Sequence, residues 1–420
     1  MKPSWIHPGK PGPFFFAARR ACTWRALLQG AAGVSLCALL TACGGGSSGS
    51  HEETPAPAAL SAMAAMGEKI FNDTSLSASG RQSCAACHVS AAGHASENTL
   101  AGQPGGVTMD QQGVRQTPSI RYLTANTPFF FDKEGTPTGG FFWDGRAASL
   151  ADQAREPFLN AREMANADVP NVVEKLSRAS YAAEFRKLYG EDIFSRPDDA
   201  YTRMTLALAQ YQKEDHEFHA FTSRYDAFLD GRLKLSDQEM RGLALFNSPA
   251  KGNCAACHPS ARGSDGSHPL FTDFTYDNLG VPRNPELLVN ADPTYFDLGL
   301  CARPAGDLAN RADLCGAFKV PSLRNVTRRQ SFFHNGRFKS LKDVLTFYVQ
   351  RDTHPEKWYP LGDDGQPLKF NDLPSQYAAN VNTSEAPYNR LPGDAPALSD
   401  SEIDDVIAFL RTLDDDDSAH

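Results

Sequence analysis

The stretch Cys84-Ala85-Ala86-Cys87-His88 recurs letter for letter as Cys254-Ala255-Ala256-Cys257-His258, 170 residues further along a chain of 420. Two thiols a short turn apart, followed at once by an imidazole, form the covalent attachment signature of c-type haem. The spacing has a chemical reason. The thiols add to the two vinyl groups of the porphyrin, and the adjacent histidine is left beneath the ring as the proximal iron ligand. A zinc site needs four ligands close together, and these pairs lie far apart. A C-x-x-C redox motif belongs in a βαβ setting, and no such pattern surrounds either copy. The repeat therefore reads as two haem sites, with His88 and His258 as proximal ligands.

Working outward, Met66, Ile70 and Phe71 fall on helical spacing and predict a helix over 58–71 that leads into the first motif. A capping box, Ser236 with Glu239, predicts a second helix over 237–246 that leads into the other. Residues 89–127 and 259–316 read as loops. The aromatic cluster over 129–143 suits the cover of a porphyrin and suits plain core equally. Helices are expected to start near Ser149 and Asp168, to run from about Tyr181 to a stop at Gly190, and to span about Asp199 to Leu229. After Ser340, a helix puts Leu341, Val344, Leu345 and Tyr348 on one face. The last helix carries the box Ser399 with Glu402 and the stripe Ile403, Val406, Ile407 and Leu410. No segment has a convincing strand pattern. The expectation is a mostly α protein with two cytochrome-c-like haem domains in one chain. They span 58–231 and 232–413, and a solvated acidic tail, 414–420, follows.

The first 43 residues hold five basic side chains and no acid, and the apolar run Ala26 to Ala42 is short and interrupted, as in an export signal. It ends Leu40-Thr41-Ala42-Cys43 before a Gly/Ser stretch, which resembles a lipobox. Cys43 is thus a candidate lipid attachment point, with 44–57 as a flexible tether; an ordinary signal peptide cleaved nearby is the other reading. The chain is expected to be exported to the periplasm, held to the outer membrane only through that anchor. The remainder carries 36 basic against 50 acidic residues, a surface that disfavours nucleic acid and anionic lipid. Of nine cysteines, Cys22 and Cys37 leave with the signal and four hold haem, so Cys301 and Cys315 remain. In an oxidising compartment a disulfide between them is the default; two free buried thiols are the alternative.

Several stretches resemble the bacterial dihaem cytochrome c peroxidase superfamily over nearly all of the mature sequence. They are Gly67-Glu68-Lys69-Ile70-Phe71, Phe142-Trp143-Asp144-Gly145-Arg146, Glu163-Met164, Val320-Pro321-Ser322-Leu323-Arg324-Asn325 and Phe333-His334-Asn335-Gly336. The resemblance implies that the amino-terminal haem reacts with hydrogen peroxide, that the carboxy-terminal haem handles electrons, and that a tryptophan, here Trp143, relays between them. It implies that Glu163 is the distal acid. In typical members a methionine fourteen residues beyond the histidine of Phe-His-x-Gly ligates the second iron. Counted from His334 that position is Tyr348, and no methionine follows Cys254. Tyrosine there marks the MauG/MbnH-like branch, which oxidises residues of a partner protein. Tyr348 as a core aromatic, with His268, His334 or His354 on the iron, is the other possibility.

Typical members also carry a distal histidine some twenty residues after the first motif, whereas none stands between His94 and His216. An open first iron is expected, with Met109 as a remaining candidate ligand. The resemblance further implies a calcium ion at the junction, whose ligand positions here fall on Gln116, Arg329 and Ser331. The cofactors expected are two covalently bound haem c and that calcium. The partners are hydrogen peroxide and a redox protein, either an electron donor or a protein substrate. Two other functions stay open: a peroxide-detoxifying peroxidase fed by a small donor protein, and a dihaem electron carrier.

Overall fold

Ten helices, joined mostly by loops and single 3-10 turns, make up the regular structure in a computed structural model that describes residues 59–416. They are α1 (Ala62–Asn72), α2 (Cys84–Cys87), α3 (Leu150–Leu159), α4 (Val169–Arg178), α5 (Ala182–Tyr189), α6 (Pro197–Glu214), α7 (Arg224–Leu229), α8 (Asp237–Asn247), α9 (Leu341–Gln350) and α10 (Asp400–Arg411). Strand structure is confined to three antiparallel ribbons of two residues a side: Pro104–Gly105 with Gln111–Gln112, Phe130–Phe131 with Pro137–Thr138, and Tyr276–Asp277 with Phe318–Lys319. The chain is mostly helical, as its sequence predicts. The export signal, Cys43, the whole tether over 44–57 and residues 417–420 of the acidic tail lie outside the described residues. Among the described residues no helix is long and apolar enough to cross a membrane.

Each half is built on the same crossing. The helix before the haem motif is clamped to a later helix with glycine at the contact. In the first half α1 packs on α6, and a Cβ built on Gly67 would stand 2.0 Å from the carbonyl oxygen of Ala207. In the second, α8 packs on α10, and a Cβ on Gly242 would stand 2.0 Å from the carbonyl oxygen of Asp405. Backbone cannot retreat from such a contact without parting the helices. Gly67→Ala and Gly242→Ala are therefore each expected to lower stability by about 1–3 kcal/mol, measured as a lower urea midpoint. Unchanged midpoints would mean that the crossings are looser than described.

Two main apolar cores follow from these crossings. One gathers Met66, Ile70, Phe71, Phe158, Phe185 and Phe218 with their neighbours. The other gathers Tyr225, Phe246, Phe271, Phe347, Val406 and Phe409 with theirs. A third, smaller cluster surrounds Cys301 and Cys315, which are joined as a disulfide.

The structure corrects two expectations. The helix predicted from Asp199 to Leu229 is two helices. Asp215 leaves the helical conformation, and its carboxylate accepts from the amide of Glu217 to start a 3-10 turn. Ser223 and Asp226 then form a capping box that restarts the chain as α7. Short polar side chains that bond nearby amides compete with helix continuation. Secondly, the start of the acidic tail is not solvated. Asp415 is 2% exposed and accepts from Tyr122 Oη at 2.6 Å, Asn325 Nδ2 at 2.6 Å and Arg121 Nη1 at 3.3 Å. Asp414 accepts from Thr327 Oγ1. The buried Arg121 needs a carboxylate, and the end of the chain supplies it. Beside this cluster Arg324 makes a fully buried two-pronged pair with Asp226 (2.7 and 2.9 Å), with the rings of Tyr122 and Phe221 against its guanidinium. These contacts tie the loops of the first half to the second.

Candidate haem-binding active site

Helix α2 is a single turn, so Cys84 and Cys87 lie on one side of it and His88 follows at its C-cap. The amide of His88 donates to the carbonyl of Cys84 at 2.8 Å. Its Nδ1 lies 3.0 Å from the carbonyl of His94. A carbonyl can only accept, so Nδ1 carries the proton and Nε2 keeps its lone pair for a metal. The second motif repeats this arrangement. The amide of His258 donates to the carbonyl of Cys254 at 2.9 Å, and its Nδ1 to the carbonyl of Phe271 at 2.7 Å. None of the four motif cysteines is joined in a disulfide. Burial pushes the Cys84 and Cys254 thiols up to about 12 and Cys87 to about 11. Redox-active C-x-x-C pairs have depressed thiol pKa values, the opposite direction from these three thiols.

A cavity of about 700 Å³ opens over Cys84, Cys87 and His88, and no other histidine lines it. Its lining includes Glu163, which sits in the turn after α3 and accepts from Asn160 Nδ2 at 2.9 Å. Burial raises the Glu163 carboxyl above the ordinary range, and Arg146 only partly opposes this. Arg146 is itself shared between Asp144 (2.9 Å) and Glu156 (2.7 Å). Met109 does not line the cavity; Met164 does, as part of the first core.

The second cavity, about 190 Å³, is tighter. Tyr348 projects into its wall from α9, near enough to Cys254 and Cys257 for their charge to affect it. Burial drives its phenol well above the ordinary value, so the ring is neutral unless a cation stands beside it. Tyr388, which sequence reasoning missed, lies tilted beside it with ring centres 5.9 Å apart and carries Arg351 on its ring at 4.4 Å. His334 lines this cavity too, lying flat on Phe318 at 3.6 Å. His268 is turned to Asp230 (3.0 Å) and His354 to Thr353 (2.9 Å), and neither lines either of these two cavities.

Between the cavities stands a shared wall. Trp143 lines both, 9% exposed, with its Nε1 donating to the carbonyl of Gln116 at 2.9 Å and its own carbonyl accepting from the amide of Lys319 at 2.9 Å. Gln116, Lys319 and Arg329 also face both sides.

The family model for di-haem cytochrome c peroxidase matches residues 61–234. Over 371 residues the chain is 33% identical to the methylamine utilization protein MauG of Paracoccus denitrificans, covering 84% of this chain and 89% of that protein. The chain belongs to the di-haem cytochrome c peroxidase family. It is also 29% identical to the cytochrome c551 peroxidase of Nitrosomonas europaea, covering 67% of this chain and 71% of that one. Among solved structures, the diheme peroxidase BthA from Burkholderia thailandensis matches with a TM-score of 0.78 and 39% identity, covering 84% of this chain and 86% of that one. This di-haem peroxidase is therefore an oxidoreductase whose family takes two haem groups, and two histidines with free Nε2 atoms in two cavities fit that requirement.

At the positions expected to hold calcium in this di-haem peroxidase, Gln116, Arg329 and Ser331, the side chains bring no carboxylate and one guanidinium. Calcium takes six to eight oxygen ligands. The carbonyl of Gln116 accepts from the Trp143 indole, its side-chain amide points its nitrogen at Ser96 Oγ (3.4 Å), and Ser331 Oγ donates to the carbonyl of Gly336 (3.4 Å). Arg329 brings a positive guanidinium to the same wall. Among the described residues no group of three or more His, Cys, Asp or Glu is placed to hold a metal.

Proposed function

We propose that this di-haem peroxidase reduces hydrogen peroxide in the His88 cavity, holds oxidising equivalents at the His258 cavity, and uses them to oxidise a partner protein. The observation that carries the reading is Trp143 in the wall of both cavities, with Glu163 on the first and Tyr348 on the second. Haem bound covalently through Cys84 and Cys87, and through Cys254 and Cys257, supplies redox-active iron for the peroxide and for storage of its oxidising equivalents. Reducing one peroxide to two waters takes two protons and two electrons.

Glu163 handles the first proton transfer. Its carboxylate takes a proton from the near peroxide oxygen and returns it to the far one, so that water leaves. Its raised pKa suits this role, because a group tuned toward neutrality both accepts and returns a proton at working pH. Trp143 bridges the cavities, its N–H held on the Gln116 carbonyl so that the ring cannot turn. Tyr348 is the residue that would hold the iron of the second haem, and an anionic phenolate there would favour its oxidised states more than a neutral thioether does.

The relay is tested with Trp143→Phe. Stopped-flow spectra after one equivalent of peroxide are expected to show the first haem reacting as in the parent while the second lags well behind. Two haems still responding together would remove Trp143 from the path. Relatives named as cytochrome c peroxidases favour a second reading, in which a small donor protein returns both electrons. An electron carrier without peroxide chemistry is disfavoured by the first cavity, which offers no second histidine to close the iron. The two haem domains meet near α7 in this reading. The enzyme is exported to the periplasm, with Cys43 as its lipid anchor.

A further inference from the structure

Arg329 stands in the wall common to both cavities, in the loop after the 3-10 turn Val326–Arg328. Its Nη2 donates to the carbonyls of Ser322 (3.0 Å) and Arg324 (3.2 Å), which fix the guanidinium in place. Its Nε is buried and has no hydrogen-bond partner. No carboxylate among the described residues forms an ion pair with it. Asp414, whose charge acts on it, is already bonded to Thr327, and Asp297, which lines the same wall, is held by Arg115 at 2.6 and 2.8 Å. Burial pulls its pKa down to about 10, which leaves it charged near neutrality.

A half-buried guanidinium with a buried, unused Nε–H and no carboxylate partner is an incomplete site. Arginine matches planar oxyanions through its fixed fork of donors. The other buried cation of this wall, Lys319, is differently placed: its Nζ donates to the carbonyl of Gly140 at 2.7 Å and lies 5.9 Å from the centre of the Phe141 ring. The ligand that completes Arg329 must bring a carboxylate into a cavity wall and be reachable from two sides. Each haem carries two carboxylate side chains on its porphyrin edge, and this protein takes two haems.

We propose that Arg329 is a haem-carboxylate site at the junction, its guanidinium pairing with porphyrin carboxylates from both cavities and supplying the positive charge for which no metal ion is needed. The inference rests on the two-haem reading above. A fixed cation beside both irons favours the ferrous state, which carries one positive charge fewer than the ferric. Removing it therefore lowers both midpoint potentials.

The test uses the full-length holoprotein, with haem content measured first; a parent lacking two haems per chain defeats the two-haem reading itself. Spectroelectrochemical titration of Arg329→Gln, loaded with two haems, is expected to lower both midpoint potentials by about tenfold in the one-electron equilibrium, or about 59 mV. Arg329→Lys is expected to keep both close to the parent values. Unmoved potentials in Arg329→Gln, or a shift at one haem only, overturn the assignment. A second measurement needs no variant. The parent, dialysed against calcium and then chelator, is expected to hold no stoichiometric calcium and to keep its spectra and potentials. One calcium per chain whose removal shifts the potentials would overturn the proposal, whether or not the variants load haem.

Discussion

Tyr348→Phe is expected to leave a folded protein with two haems that no longer holds its oxidised state after peroxide. Phenylalanine keeps the ring and its packing against Phe333 and Tyr388 and deletes the one oxygen that α9 presents to the second cavity. The parent hydroxyl is the anionic donor of the account, and the cavity has no methionine to replace it. Burial, with smaller contributions from Cys257, Cys254 and Asp277, raises the phenol pKa, so ionisation depends on a neighbouring cation. Losing groups that merely orient a metal ligand costs about 10–100-fold, and losing the ligand itself is expected to shorten the oxidised state's lifetime by at least that. Stopped-flow decay of the peroxide-treated protein measures it. Tyr348→Met is expected to raise the second haem's potential, because a thioether favours the ferrous iron. A Phe variant with the parent's lifetime would make Tyr348 a core aromatic.

Glu163→Gln is expected to slow the reaction with peroxide by about 10²–10⁴-fold, the usual contribution of a positioned acid–base group, while haem content stays at two. The amide keeps the shape and the contact with Asn160 but cannot carry a proton. In the parent, the base must be ionised, so the rate is expected to fall as pH drops through a pKa above the ordinary carboxylate value. The variant should lose that dependence. Stability moves the other way. A carboxyl whose folded pKa is raised adds stability below its unfolded pKa, and that stability is lost as pH rises through the folded one. The Gln variant is therefore expected to be no less stable at neutral pH, which separates lost chemistry from lost fold.

Local signals carried the fold class a long way. Ser61, Ser149, Asp168, Ser236, Ser340 and Ser399 each cap the helix that follows, as short polar side chains before apolar periodicity predict. The haem motifs were legible for the same reason: thiols and imidazole within five residues need no distant partner to be recognised. What escaped the sequence depends on long separations. Asp415 reads as part of a charged tail until Tyr122, 293 positions earlier, is found bonded to it. The break at Asp215 was hidden because its carboxylate competes with the helix only through a local bond that periodicity does not register. Tyr388 and the guanidinium of Arg329 had no motif at all, and only the folded cavities bring them into view.

Low-temperature EPR of the ferric holoprotein, before and after one equivalent of hydrogen peroxide, tests the central claim most directly. The account predicts a high-spin signal from an open first haem beside a low-spin signal from the second. Both are predicted to vanish on adding peroxide and to return slowly. Two low-spin signals that persist in peroxide would contradict it and leave a dihaem electron carrier in its place.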